Sequence, residues 1–585
     1  MPPQNLTPFV SLTLMTPPKG KNAQDAVAEV SKAAKEMLPE VDLTTKSWKR
    51  LKLETKGPGT IEGHVYERQV QVNWTTDRVL DLQHHLLLVI WGHGYIAVHA
   101  TDPKLQDRLT AALLSTKAGC SLTGYVPVAR AKLEAAFVVE GEAKSLWLKG
   151  MHARNALKAD AKILSGDNLA FALDVFGDQT FWWSAARARN PTLEKIVGVS
   201  AKASRVWLHK VNDTKGFRTE TCKLLKHLSA ARPGKGLRVL ASPELTVDLE
   251  KLNEAYDVSL MPPDFGVELD WQDVTVDDLA LDACAASFLV KGNQTNADFE
   301  IELRLNGKSV ATAQVEVKSA RAVGQVRFKV SPNVTTSDSN LATQANRILR
   351  TIGRGDGVNV HYDSGYSISG RKTFKTVRHR VEFTRFVEEE FDPAQWDIGT
   401  EKPSALDKIG QEKSLFCWLQ KQLKGHLMCD DGSMEKADFF HIDSTCQTLT
   451  FYHVKGSHSA DAERQISVSA YEVVTAQAIK NLIWLDKNDF LRGLKARIRP
   501  DNQYWKNGGD KSTHNEFYCA VEKLSPEFKR KVVLLQPSLL KKVRDDNRGK
   551  ANVQGLRLRQ LEFLLAAAEQ TCRSLSTEFE VICAK

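Results

Sequence analysis

A chain of 585 residues, 42% hydrophobic and 26% charged, can bury several cores and is too apolar to be disordered or fibrous. Its net charge of +9 excludes a strongly acidic chain and mildly favours a polyanionic partner. The nine cysteines stand singly with no CxxC pair, which argues against a zinc ribbon or a disulfide framework and for a reduced, cytoplasmic setting.

Met1–Thr16 carries no basic leader, and no run approaches the roughly 18 apolar residues of a bilayer-spanning helix. A soluble chain that is not exported and does not enter a membrane is expected. Residues 1–45 read as a tail followed by a short helix, Asp25–Leu38, stopped by Pro39. Residues 46–232 read as a mixed α/β domain. Strands are expected at Leu86–Ile90 and Tyr95–His99 around Gly92-His93-Gly94, a helix at Pro103–Leu114, and strands at Ala136–Val139 and Ser145–Leu148. His84, His85, His93 and His99 lack matching Cys or carboxylate spacing and read as structural. Phe181-Trp182-Trp183, with Arg187 and Arg189 beyond, reads as an aromatic plug in a core or between domains rather than a base-stacking surface.

The run Arg232-Pro233-Gly234-Lys235-Gly236 marks a boundary. Residues 236–390 read as a β-rich α+β domain. Leu237–Ala241, Leu245–Ala255 and Val258–Leu260 suggest strand, helix and strand. Ile301, Leu303 and Leu305 alternate with polar residues up to Asn306-Gly307, and Val310, Val315 and Val317 resume the alternation, which predicts a hairpin. A strand follows at Val326–Val330, and a helix from Ser337 or Ser339 to Ile352, stopped by Gly353 and Gly355. Residues 391–403, within an acidic, proline-containing run, read as a linker.

Residues 404–585 form the last domain. A helix at Leu406–Leu423, strands at His426–Cys429, Lys436–Ile442 and Leu449–Val454, and a helix at Tyr471–Leu485 give the order helix, three strands, helix. Side chains alternate along a strand, so Asp438 shares a face with Lys436 and Phe440, and His453 shares one with Phe451 and Lys455. If the two strands pair, Asp438, His453 and Lys455 can converge at one end of the sheet. Such a group suits phosphodiester hydrolysis: a hard divalent cation needs oxygen or imidazole ligands, and a lysine can place the attacking water. Basic residues are dense nearby, with 11 Lys or Arg against 4 Asp or Glu over 521–560.

Cys429-Asp430-Asp431-Gly432-Ser433-Met434-Glu435-Lys436-Ala437-Asp438, Phe451-Tyr452-His453-Val454-Lys455-Gly456 and Gln477-Ala478-Ile479-Lys480 together resemble the PD-(D/E)XK, or restriction-endonuclease-like, domains at the end of bacterial helicase-containing defence proteins. The resemblance implies an α/β domain with a central mixed sheet within an otherwise mixed α/β and α+β multidomain chain. It implies a magnesium- or manganese-dependent nuclease acting on DNA, with RNA the other candidate, in anti-phage or anti-plasmid defence. Asp438 is then the metal-binding aspartate, Lys455 the motif lysine, Glu435 a second carboxylate and Gln477 a supporting residue. His453 stands where the family has Glu or Asp, and remains a metal ligand in this reading. Lys529, Arg530, Lys531, Lys541, Lys542 and Arg544 are expected to follow the nucleic-acid backbone.

No Walker A motif is present, so unwinding is expected to come from a separate helicase or ATPase chain. Oligomeric state is left open, a homo-oligomer included. The rival expectation is a degenerate domain, a nucleic-acid-binding or scaffold subunit of a helicase complex.

Overall fold

The computed structural model describes the chain except for residues 1–4, 39–47, 55, 73–74, 76, 115–121, 140, 154–156, 168, 170–171, 202–203, 233–236, 238–239, 242–247, 262–275, 321–324, 356, 376–380, 433–434 and 497–501. It divides into two compact units, Met1–Arg378 and His379–Lys585. The first takes in both regions that meet at 232–236, and the second begins ahead of the expected residue 404. The boundary glycines, the strand expected at Leu237–Ala241 and the start of the Leu245–Ala255 helix lie partly or wholly outside the described residues. Among the described residues no helix is long and apolar enough to cross a membrane.

The first unit is built on an eleven-stranded antiparallel sheet. Alternation gives it two apolar faces. Val10, Leu12, Leu14, Leu88 and Ile90 meet the helix Thr214–Ala230 on one side. Met15, Leu87, Val89, Ile96 and Val98 meet the helix Ala23–Glu36 on the other. The strand expected at Ala136–Val139 is instead the end of a helix, Arg130–Phe137. Its run of Ala, Lys, Leu and Glu favours helix more than two apolar residues favour a strand.

Among the described residues, two four-stranded sheets complete the unit. The expected hairpin is present as Phe299–Leu305 and Lys308–Ser319, with Asn306 and Gly307 at φ 50° and 83°, the left-handed pair that a tight turn requires. The helix Ser339–Arg354 runs past Gly353. Asp338 caps it by accepting from the Asn340 and Leu341 N–H groups, and Gly355, at φ 74°, ends it. Trp182 is fully buried; its indole N–H donates to Ser369 Oγ at 2.8 Å, and the Lys372 ammonium lies 4.5 Å from its ring. The aromatic run is thus a plug between two sheets of one unit.

The second unit holds one mixed sheet. Its strands are β1 (Phe386–Glu389), β2 (His426–Cys429), β3 (Phe439–Asp443), β4 (Thr448–Val454), β5 (Gln503–Lys506), β6 (Asp510–Lys511), β7 (Lys529–Leu540) and β8 (Thr577–Ala584). The helices used below are α1 (Leu415–Gln422), α2 (Ser469–Lys480), α3 (Lys487–Ala496), α4 (His514–Glu522), α5 (Lys541–Asn547) and α6 (Val553–Ser574). Strand order is β1-β8-β7-β4-β3-β2-β5-β6. β2, β3 and β4 form an antiparallel meander, while β4, β7 and β8 run parallel. Parallel neighbours need long crossovers, and the segments holding α2 and α6 supply them.

Phe440, Ile442, Leu449 and Phe451 face the core that α2 and α6 cover. Phe439, Tyr452 and Val454 face α1 on the other side. The helix expected over Leu406–Leu423 is confined to α1: Gly410, at φ 91°, breaks its first half, and Ser414 caps the remainder. The residues expected as a linker, 391–403, are anchored to this unit's core by a few apolar side chains. Ile398 is buried among Leu415, Phe416 and Trp418, and the Phe391 ring lies 4.9 Å from Trp418. Their acidic composition hid two well-placed apolar anchors.

Candidate functional site

The site forms where β2 ends, β3 begins and β4 ends. In sheets with parallel strands, ligands gather at carboxyl ends such as that of β4. The loop from Asp430 to Ala437 is closed by its own polar groups. Asp430 N–H donates to Asp438 O at 3.0 Å, Lys436 N–H to Asp430 Oδ2 at 3.3 Å, and Gly432 N–H to Glu435 Oε2 at 3.1 Å. Ser433 and Met434 lie outside the described residues. Because this loop occupies the expected start of the strand, β3 begins at Phe439 and not at Lys436.

Asp438 therefore sits just ahead of β3, only 4% exposed. Its N–H donates to Tyr452 O at 3.0 Å, and its Oδ2 accepts the Val454 N–H at 2.7 Å, which extends the ladder with a side chain. Burial pushes its pKa well above the usual carboxylate range. The Val454 N–H and Lys402 oppose that shift, while Glu435 and Glu401 reinforce it. Oxygens of Asp431, Glu435 and Asp438 lie within 4.8 Å of one another, a spacing that can surround one cation.

His453 is not part of this group. It sits on β4, facing the same side as Leu449 and Phe451, and is 2% exposed. Among the described residues its Nε2 has no hydrogen-bond partner, and burial, with Lys480 adding repulsion, lowers its pKa to about 3. The group that gathers around Asp438 takes in Asp431 and Glu435 in place of the expected His453, and the Asp438 Oδ2 accepts the Val454 N–H.

Lys455 lies beyond the end of β4, its N–H bound to Leu535 O at 2.9 Å. Its ammonium pairs with Glu401 Oε2 at 2.8 Å. The next residue, Lys402, contacts Asp431 Oδ1 and lies 3.8 Å from Glu401. Burial works against the charge on Lys402, but the Asp431 pair outweighs it and raises the pKa. The order of charges is Lys455, Glu401, Lys402 and the acidic group. Gln477 is half-buried on α2.

The structure brings Asp438 and Glu435 together, with Lys455 joined to them through Glu401 and Lys402. The sequence reading named none of Asp431, Glu401 and Lys402 as a site residue. Lys402 and Glu401 lie 29 and 54 residues from Asp431 and Lys455, and no local spacing could have made those two links.

The basic candidates do not form one track. β7 puts Lys529 beside Thr448, six residues from the Val454–Leu535 pair and thus about 20 Å from the site. Lys531 pairs with Glu580 at 2.6 Å, and Arg530 lies over the Phe528 ring at 5.2 Å. At the far end of β7, Lys541 pairs with Asp545. Arg544 is buried against Phe386 and bound to Glu388 at 2.7 Å. Lys529 and Lys542 are exposed, at opposite ends of one strand.

Comparison with protein-family models, curated proteins and solved structures finds no match to this chain.

Proposed function

We propose that the unit His379–Lys585 is a metal-dependent nuclease that hydrolyses DNA phosphodiesters. The observation that carries this reading is the acidic group Asp431, Glu435 and Asp438, one member deeply buried, connected to Lys455 at the carboxyl end of a parallel strand. Three carboxylates suit Mg²⁺ or Mn²⁺, which retain several waters and need few protein ligands. Asp431, Glu435 and Asp438 would hold such an ion, which would supply an acidified water as nucleophile and offset charge on the phosphoryl oxygens. Lys455, released from Glu401, orients the water or stabilises the pentacovalent charge.

In this reading Asp431 replaces His453 as the ligand beside Asp438 and Glu435. His453 serves packing. The defence setting and the helicase partner rest on the sequence resemblance alone.

The second reading, a degenerate nucleic-acid-binding or scaffold subunit, draws on the same network. Lys402 and Lys455 already have carboxylate partners, as in a purely structural array. The two separate when the purified chain is incubated with single- and double-stranded DNA and with RNA, in Mg²⁺ or Mn²⁺, beside Asp438→Ala and Lys455→Ala. Cleavage by the wild type alone supports the nuclease. DNA binding without cleavage under either metal supports the subunit, and cleavage that survives both substitutions removes this site from the chemistry.

A further inference from the structure

The segment Asp397–Lys402 is a strap fixed along its length. Asp397 N–H donates to Lys413 O at 2.7 Å, Ser457 N–H to Ile398 O at 2.8 Å, Leu415 N–H to Thr400 O at 2.9 Å and Phe416 N–H to Glu401 O at 3.1 Å. Asp397 also accepts from the Gly399 N–H at 2.9 Å and the Thr400 hydroxyl at 2.6 Å. At Gly456 a Cβ would come within 2.7 Å of Gly399 O, so the strap and the end of β4 lie backbone against backbone. A strap held this way fixes where its side chains start. Glu401 reaches Lys455, and Lys402 reaches the acidic group.

The Lys402 ammonium already stands as a cation against Asp431, and Asp431 is one of the three acids whose oxygens can surround a metal ion. A divalent cation on those oxygens would place two positive charges beside a third on a shared carboxylate. The attraction between Lys402 and Asp431 would then be offset by repulsion from the metal. The Lys402 side chain is 40% exposed, so its flexible stem can leave for solvent while the strap stays in place.

We propose that Lys402 is a built-in counter-ion of the acidic group, holding Asp431 until a divalent cation displaces it. This rests on the reading of that group as a cation site. Lys402 sets the metal concentration at which the site fills, and so regulates the same chemistry. The lysine stabilises the empty site and weakens the filled one.

The test is calorimetric titration of Mn²⁺ into the full-length wild type, Lys402→Met and Lys402→Arg at one pH and ionic strength. Lys402→Met keeps the stem and removes the charge, and its Mn²⁺ affinity should rise about five- to tenfold, as expected for losing one partly exposed like charge. Lys402→Arg should bind as the wild type or more weakly. Equal or weaker binding by Lys402→Met overturns the proposal, as does absence of binding in both proteins. If Lys402→Met fails to fold, Lys402→Gln replaces it, with the Mn²⁺-induced rise in Tm as readout; that rise should exceed the wild type's, and an equal or smaller rise overturns the proposal. DNA cleavage by the same proteins separates the two ideas. Tighter Mn²⁺ binding without cleavage by any protein leaves the counter-ion standing and removes the nuclease, whereas cleavage with unchanged affinity does the reverse.

Discussion

Acidification should destabilise the second unit through His453. This imidazole is 2% exposed, its Nε2 has no partner among the described residues, and its pKa is lowered to about 3. In the unfolded chain it should titrate near 6.5. The folded state binds its proton less readily, so the contribution to stability is fully present above about pH 6.5 and is lost as pH falls toward 3. At 1.36 kcal/mol per pKa unit, the loss between pH 7 and pH 4 is about 3 kcal/mol.

The perturbation is His453→Leu or His453→Gln, neither of which titrates. Urea unfolding at pH 7 and pH 4, with hydrogen exchange over Thr448–Val454 as the local readout, should show the wild type losing about 3 kcal/mol more than either variant. Equal losses would refute the reasoning. A His453 pKa near 6.5 by NMR titration would do so as well.

Asp438 has the opposite sign. Its raised pKa favours the folded state below the ordinary carboxylate value and disfavours it as pH rises through the raised one, so Asp438→Asn without metal should be more stable than the wild type at pH 8. Mn²⁺ binding should strengthen with pH and release a proton, measurable by calorimetry in buffers of different ionisation enthalpy. Replacing Arg544 by Met should cost about 1–2 kcal/mol, because it breaks a pair of which only one partner is well buried. The same change should leave the salt dependence of DNA binding unaltered, since Arg544 is not exposed to a backbone. In the first unit, Trp182→Phe should cost about 1–2 kcal/mol by urea unfolding, through the lost bond to Ser369 and the weaker ring beneath Lys372.

Much of the local architecture was legible in the sequence, and the reason is periodicity. The Asn306-Gly307 hairpin, the helix after Asp338 and the β2–β4 meander each follow from alternation, caps or turn residues that act within a few positions. The misreadings share a different cause. The acidic composition of 391–403 suggested solvent exposure, although Phe391 and Ile398 anchor that stretch in a core. Strand pairing suggested that Asp438 meets His453, but its acidic neighbours are Asp431 and Glu435, and its Oδ2 accepts the Val454 N–H. The basic run 529–544 looked continuous in sequence, yet its pairing with β8 carries the ends of β7 about 25 Å apart. Charges on one element spread, while charges from distant elements, such as Lys402, Asp431 and Glu401, converge. That convergence depends on the sheet order and has no signature in spacing.

The most direct measurement is single-turnover DNA cleavage in Mn²⁺ by the wild type and by Asp431→Asn, with Mn²⁺ occupancy followed in the same samples. Asp431 is the ligand that the proposed reading adds to the motif. Cleavage by the wild type that falls at least about a hundredfold in Asp431→Asn, together with weaker Mn²⁺ binding, is the predicted result. Cleavage that continues unchanged in Asp431→Asn, or a wild type that binds Mn²⁺ and leaves every DNA substrate intact, would contradict the account.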